Sequence, residues 1–411
     1  MADRQDLMRT VSGPTDHVVV IGAGLSGLAC AAHLVGSGRR VTVLERGARP
    51  GGRMGRADHG GFRIDTGPTV LTMPGLIDDA LHAVGTSLAD HVTLRRLDPA
   101  YHARFADGSS IQVHTDAAAM EQEVRQQVGA KDAEGYRRLR HWLTQMYDAE
   151  IGRFIGGNFD SPLDMLRTQA ARRDVARFAR LGGLRSLAGK VGGFIDDERL
   201  QRLFTFQALY AGVSPGQARA AYGVIAYMDT VAGVYFPEGG MHRVAQAMAD
   251  AVVDAGAELK LETTVSAVES SGGRVRAVRT DGGERISCDA VVLTPDLPIV
   301  DELLGREHRR KLAMRWAPSA VVLHGGIPRT VTQNWPSAAH HTIDFGGAWN
   351  KTFTEIIAGG RAGGGRLMSD PSLLLTRPSV TDPSLAPEGQ ELCYVLAPCP
   401  NLHTAPLQWD T

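Results

Sequence analysis

The chain has 411 residues, 43% of them hydrophobic, with 44 Lys and Arg against 45 Asp and Glu, a formal net charge of -1. That length allows two or three cores, so a cofactor unit plus a substrate unit is expected, and the charge balance gives no sign of a nucleic-acid-binding surface. No run of 18 or more apolar residues reads as a membrane span, since Gly22, Gly24 and Gly27 punctuate the nearest one, Val18 to Val35.

Taken in chain order, His17 to Ile21 is a continuous β-branched run suited to a buried parallel strand. An Ala-rich helix follows through Leu34 and Val35, ended by Gly36 and Gly38, and Arg40 to Glu45 forms a second strand. Strand, helix and strand in this compass make one right-handed βαβ unit. No signal peptide or anchor is read at this end. From His91 to His114 the pattern predicts a hairpin: Val92 to Arg95 and Ala103 to Ala106, an Asp107-Gly108 turn, then Ser110 to Val113. Residues 116–208 read as mostly helical. Near Val234 the α/β pattern returns, with a helix from Met241 to Ala255 and strands at Leu259–Leu261, Val265–Glu269, Val275–Thr280 and Ala290–Leu293. The last hundred residues hold short strands (Ala320–Leu323, Thr342–Phe345, Glu391–Leu396) and a flexible Gly-rich insertion, Gly359 to Gly365. Four widely spaced cysteines (Cys30, Cys288, Cys393 and Cys399) with no C-x-x-C pair suit reduced thiols in a cytosolic protein.

Gly22-Ala-Gly24-Leu25-Ser26-Gly27 is a G-x-G-x-x-G, uninformative by itself in a chain with 48 glycines. Its setting carries the information. It follows a buried strand and opens a helix, so its backbone N–H groups can face a pyrophosphate. Gly22 permits the turn, Gly24 lets a ligand approach the backbone, and Gly27 lets helix and sheet pack closely. Glu45, at the end of the second strand, can accept from ribose hydroxyls. Arg46 and Gly51-Gly52-Arg53 follow, a glycine pair with cations placed to meet phosphate or flavin atoms.

Here the sequence resembles the superfamily of FAD-dependent amine oxidases and carotenoid desaturases, whose signature is this fingerprint, the acidic residue and then Gly-Gly-Arg. The resemblance implies that Gly22, Gly24, Gly27, Glu45, Gly52 and Arg53 contact FAD. Asp65-Thr-Gly67-Pro-Thr69 is similar to the segment that reaches the flavin. Tyr235 to Met241, followed by Thr263 to Ser266, resembles the second FAD segment, with the Val265 backbone at the adenine. Tyr210 to Pro215, His340 to Gly347, Ser369 to Ser372 and Arg377 to Gly389 are similar to bacterial phytoene desaturases. The resemblance runs from about residue 16 onward. It implies removal of two hydrogens across a saturated C–C bond of phytoene or a close C40 carotenoid, with hydride passing to flavin. Such enzymes continue past the Pro-Glu-Gly region into a glycine-rich segment over the flavin. No such segment is read before Thr411, so weak flavin retention by this chain is expected.

The expected fold is α/β: a doubly wound, Rossmann-like FAD-binding domain from residues 1–90 and 222–300. A mixed-sheet substrate-binding domain comes from 91–221 and 301–411, with a helical cap over about 116–208. His340, His341 and Asp344 match no standard ligand set and read as loop residues, so no metal is expected. Arg167 to Lys190 carries seven basic residues against Asp174 alone, interleaved with Leu166, Phe178, Leu181, Leu184 and Leu187. That composition suits either a solvated face or an interfacial segment on anionic lipid. A bilayer-borne substrate favours the second, hence a cytoplasmic protein docked peripherally on the bilayer surface. No catalytic acid or base is identified. A sibling carotenoid isomerase or amine oxidase, and a non-catalytic isoprenoid-binding protein akin to the Rab GDP-dissociation inhibitors, remain as alternative readings.

Overall fold

The computed structural model describes residues 13–157, 166, 168–306, 316–357 and 367–402. The predicted insertion Gly359 to Gly365 and the chain end from His403 lie outside the described residues. In chain order the strands are β1 His17–Ile21, β2 Arg40–Leu44, β3 Arg56–His59, β4 Phe62–Asp65, β5 Leu94–Arg96, β6 Tyr101–Phe105 and β7 Ser110–Val113. There follow β8 Tyr235–Pro237, β9 Glu258–Lys260, β10 Val265–Ser271, β11 Arg274–Thr280, β12 Arg285–Ser287 and β13 Ala290–Leu293. The last four are β14 Ser319–Pro328, β15 His341–Phe345, β16 Leu373–Thr376 and β17 Gln390–Cys399.

Four strands in the order β13-β1-β2-β9, all parallel, form the nucleotide-type sheet. Val18, Val19, Val20, Val41 and Val43 are buried on it because parallel strands are covered on both faces. The helices Leu25–Gly36 and His242–Asp254 pack together against it through Leu28, Ala31, Ala32, Val244 and Met248. The three-stranded sheet β10-β11-β12 lies beside it, joined through β13.

A six-stranded mixed sheet, β14-β17-β16-β15-β6-β7, gathers strands from both sides of the cofactor-type segments. The long helix Ala130–Glu150 leads the helical region, burying Tyr136, Leu139, Trp142 and Leu143.

Three expectations need correction. The Asp107-Gly108 hairpin forms as β6–β7, but the first of its predicted strands does not join it. That strand is β5, and it pairs with β8, some 140 residues on, after Pro99 has interrupted the run. The histidines read as loop residues are core: His341 opens β15 with 0% exposure, and His340 beside it is 4% exposed. Burial holds the His341 imidazole neutral, its pKa pushed down to about 3. Within the basic region, Leu187 is buried and Lys190 lies over the Trp142 and Phe194 rings at 5.4 and 5.3 Å, so this end is packed rather than solvated. All four cysteines are free thiols. Among the described residues no helix is long and apolar enough to cross a membrane.

Candidate functional site

The carboxyl ends of β1 and β2 make the site, as ligand sites in open parallel sheets do. Gly22 leaves β1 with a φ of 104°, a conformation that side chains rarely adopt, and a Cβ there would lie 2.5 Å from Thr294 Oγ1. Gly27 faces back onto this turn: its Cβ would come within 2.0 Å of the Gly22 carbonyl oxygen. This glycine therefore sets how closely the helix packs on the strand. Gly24 differs from both. Its backbone is ordinary extended chain (φ -72°, ψ 171°), and a Cβ would meet only Gly52 Cα, at 4.0 Å. Gly24 is the N-cap of the helix, which has no side-chain cap and no acidic residue in its first turn. The N–H groups of Leu25, Ser26 and Gly27 and the positive end of the helix are thus left for an external anion.

Glu45 is fixed beside this turn. One carboxylate oxygen accepts from the Ala23 N–H at 2.9 Å and the other from the Gly47 N–H at 2.8 Å. The segment that precedes Val265 is bonded to the same stretch: Thr263 N–H donates to the Glu45 carbonyl at 2.8 Å, and Glu262 N–H to that of Gly47 at 3.0 Å. Thr263, two residues before Val265, is thereby held against the Glu45 backbone.

The Gly-Gly-Arg loop folds over the first glycine turn. Gly51 N–H donates to the Ala23 carbonyl at 2.8 Å, and Gly52 approaches Gly24 so closely that its Cβ would sit 3.2 Å from Gly24 Cα. Gly67 packs on the same loop, leaving 1.7 Å between a Cβ and the Arg53 carbonyl oxygen. Gly52, Arg53, Thr66, Gly67 and Pro68 are all exposed, so a strip of accessible backbone runs from the helix N-terminus to Gly67. Arg46 is exposed, and the Arg53 guanidinium pairs with Asp296 at 2.7 Å on the same rim. The predicted site residues therefore converge on one edge, and the open position at Gly24 with the uncapped helix end fits a dinucleotide pyrophosphate.

The segment carrying Gly67 is anchored at both ends. Asp65 is 5% exposed, and its carboxyl accepts from the N–H groups of Met241 and His242 at 2.8 and 3.1 Å, at the start of the helix His242–Asp254. Burial nevertheless pushes its pKa up to about 6. Leu71 exchanges backbone hydrogen bonds with Tyr235 of β8. Between them, Thr69 meets Thr376 of β16 (Oγ1–Oγ1 3.4 Å), whose hydroxyl also contacts His341 Nδ1 at 3.0 Å.

Sequence reasoning missed one further group altogether. Asp229 is 2% exposed in a π-helical turn, Met228–Ala232, near Gln207 and Tyr101, and its Oδ2 has no hydrogen-bond partner among the described residues. An isolated Asp in an apolar stretch carries no local signal for such a cluster. Among the described residues no group of three His, Cys, Asp or Glu could hold a metal ion.

A sequence model of the family described as flavin containing amine oxidoreductase matches residues 25–401. The phytoene dehydrogenase of Streptomyces griseus is 61% identical over 399 residues, 97% of this chain and 76% of that protein. The zeta-carotene-forming phytoene desaturase of Myxococcus xanthus is 34% identical over 94% of this chain and 72% of its own length. Among solved structures, an oxidoreductase from Methanosarcina mazei superposes with a TM-score of 0.57 at 16% identity, covering 93% of this chain and 78% of its own. A Rab GDI from Plasmodium falciparum gives 0.56 at 11%, covering 95% and 84%. These two likenesses concern the fold alone. The uncapped helix, the glycine turn with Glu45 and the family match agree: the chain belongs to the flavin containing amine oxidoreductase family and, within it, groups with the carotenoid desaturases.

Proposed function

We propose that this protein is an FAD-dependent desaturase of phytoene or a closely related carotenoid, introducing C=C bonds in carotenoid biosynthesis. The observation that carries the reading is the 61% identity to the Streptomyces griseus phytoene dehydrogenase across nearly the whole chain. The cofactor strip described above supports it. In this reading Gly22, Gly24, Leu25, Ser26 and Gly27 receive the pyrophosphate, and Glu45 binds the adenosine ribose. Val265 lies at the adenine, and Arg46, Gly52, Arg53 and Gly67 follow the ligand toward its flavin end. FAD, when bound, supplies the hydride acceptor. Residues 1–90 and 222–300 serve the cofactor, and 91–221 and 301–411 enclose the apolar substrate.

The same reading places the protein at a lipid surface, from which a C40 hydrocarbon must be drawn. Supporting it, the helix Gln169–Arg180 exposes Arg172, Arg173, Arg177 and Arg180, and Leu166 and Leu184 are exposed nearby at 49% and 64%. The test is direct. Flavin-loaded protein mixed anaerobically with phytoene in liposomes bleaches its visible flavin absorbance while longer polyenes accumulate. Bound flavin that stays oxidised in the presence of phytoene overturns the assignment.

A further inference from the structure

Positive charge in the helical region gathers around one concave space. A cleft of about 530 Å³ is lined by residues of the helices Ala130–Glu150, Gln169–Arg180 and Leu187–Gly192. The long helix supplies Arg137, Arg138, His141 and Trp142, whose spacing puts them on one face. Arg180, Leu181, Lys190 and Phe194 come to it from the other elements. Glu134 is the one carboxylate in the lining, and Arg137 already pairs with it and with Glu121. Arg138, Arg180 and Lys190 have no ion-pair partner among the described residues. By contrast Arg95, Arg202 and Arg285, on other surfaces, each hold a carboxylate, at 2.6, 2.6 and 2.7 Å.

Lys190 is the most constrained of the three. Its Nζ lies 5.4 Å from the centre of the Trp142 ring and 5.3 Å from that of Phe194, a seat between two π-faces that fixes the ammonium. Trp142 is itself 4% exposed, and its indole N–H donates to the Leu181 carbonyl at 3.0 Å. Burial, and after it the neighbouring Arg185, pull the lysine below its usual pKa range. An ammonium held in this way gains from any anion that reaches it.

Cations from three helices around one space suit an anion with several acceptor oxygens, because guanidinium forks and a point-charge ammonium can bind a phosphate together. Leu181, Trp142 and Phe194 line the same cleft, so the cations stand beside an apolar wall. A free phosphate makes no use of that wall, whereas an amphiphile does. The helix Gln169–Arg180 points the same way. Arg180 lines the cleft, while Arg172, Arg173 and Arg177 are exposed along the same helix and Leu184 is exposed just beyond it. One element therefore belongs both to the cleft and to the surface read above as meeting lipid.

We propose that this cleft binds the phosphate of an anionic phospholipid headgroup, held by Arg138, Arg180 and Lys190, with the glyceride part against Leu181 and Phe194. The proposal rests on the lipid-surface reading above and deepens it. The exposed arginines respond to the surface potential of the bilayer as a whole. The cleft adds recognition of a single lipid molecule, and so fixes which way the helical region faces the membrane. A choline headgroup brings its own cation into a space that already has a surplus, and is disfavoured.

The experiment titrates the full chain by calorimetry with dihexanoyl phosphatidylglycerol below its micelle concentration. Saturable one-to-one binding is expected, and Arg138→Gln and Lys190→Gln each weaken it by about 10-fold or more. Replacing Arg172, Arg173 and Arg177 by Gln leaves this titration within about 2-fold of the parent while weakening sedimentation with phosphatidylglycerol vesicles. Inorganic phosphate and dihexanoyl phosphatidylcholine are the comparison arms, each binding about 10-fold more weakly or worse. Inorganic phosphate that binds as tightly as the lipid makes the cleft a free-anion site and overturns the headgroup assignment. Binding that both Arg138→Gln and Lys190→Gln leave unchanged overturns it as well. Should Lys190→Gln fail to fold, Arg138→Gln decides alone, since Arg138 is exposed. A parent that sediments with the vesicles but binds no short-chain lipid overturns this proposal and leaves the lipid-surface reading standing. A parent that does not sediment with them at all overturns that reading, and this proposal with it.

Discussion

Two glycines of one turn with different roles, Gly24 and Gly27, separate cofactor binding from folding. At Gly24 the backbone is ordinary extended chain and a methyl meets nothing nearer than Gly52 Cα at 4.0 Å. Gly24→Ala should leave the fold intact and, by restricting the unfolded chain, stabilise it by about 0.4–1 kcal/mol. The same methyl stands over the uncapped helix end, where the pyrophosphate is proposed to sit. Forcing it against the ligand costs about 1–3 kcal/mol, the usual range for overpacking, or a roughly 5- to 150-fold weaker affinity. At Gly27 the order reverses. The new Cβ lies 2.0 Å from the Gly22 carbonyl oxygen, so the helix must move off β1 and the protein loses about 1–3 kcal/mol of stability before any ligand is added. Thermal unfolding with and without FAD, together with a flavin fluorescence titration, reads both quantities. Gly24→Ala with the parent's affinity would refute the placement of the pyrophosphate. Gly27→Ala with the parent's melting temperature would refute the packing argument.

Glu45→Ala should weaken FAD binding by about 1.5–3 kcal/mol, since it removes a charged acceptor and frees the Ala23 and Gly47 N–H groups; an unchanged titration removes Glu45 from the site. Asp65→Ala strands the Met241 and His242 N–H groups and should lower stability by about 1–3 kcal/mol, read by urea unfolding. Asp229 has a folded-state pKa near 7 against an ordinary 3.8, so the folded protein holds more protons than the unfolded chain between those values. Stability is therefore lost as pH rises through that window, and Asp229→Asn should recover up to about 4 kcal/mol above it; a flat difference in urea midpoint between parent and variant across that window contradicts this. Replacing Arg172, Arg173 and Arg177 by Gln should weaken sedimentation with anionic liposomes by on the order of 1 kcal/mol per residue, and equal binding to neutral vesicles makes these arginines a solvated face only.

The parts of the fold legible in the sequence are those whose signal is local. His17–Ile21, the glycine turn and Arg40–Leu44 each announce themselves within a few residues, and the turn types follow from single glycines. Pairings across long separations left no such trace. β5 pairs with β8 for reasons that neither segment displays, and the hairpin β3–β4 lies inside a stretch of Gly, Arg and His with no strand periodicity. β14 was legible only as Ala320–Leu323, because Gly325 and Gly326 interrupt a run that continues to Pro328. The reason for one of those glycines is tertiary: a Cβ on Gly326 would lie 2.2 Å from the Phe62 ring. In the candidate site the glycines and Glu45 were readable from the motif. Asp229, Tyr101, Gln207 and His341 come from four elements and meet only in the folded chain.

The segment Asp65 to Leu71 joins the regions proposed above for cofactor and substrate. Its Asp65 N–H donates to the Tyr394 hydroxyl of β17 at 2.9 Å, and its Asp65 carboxyl caps the helix His242–Asp254. Thr69 touches Thr376 of β16, and Leu71 is bonded to β8. Gly67, in the middle, packs on the Arg53 backbone of the cofactor strip. One short stretch therefore ties the parallel sheet, the mixed sheet and the segment leading from Asp229. A ligand that orders Gly67 holds a backbone that is also hydrogen-bonded to β17 through Asp65 and to β8 through Leu71, and that meets β16 through Thr69, so its binding bears on both sheets at once.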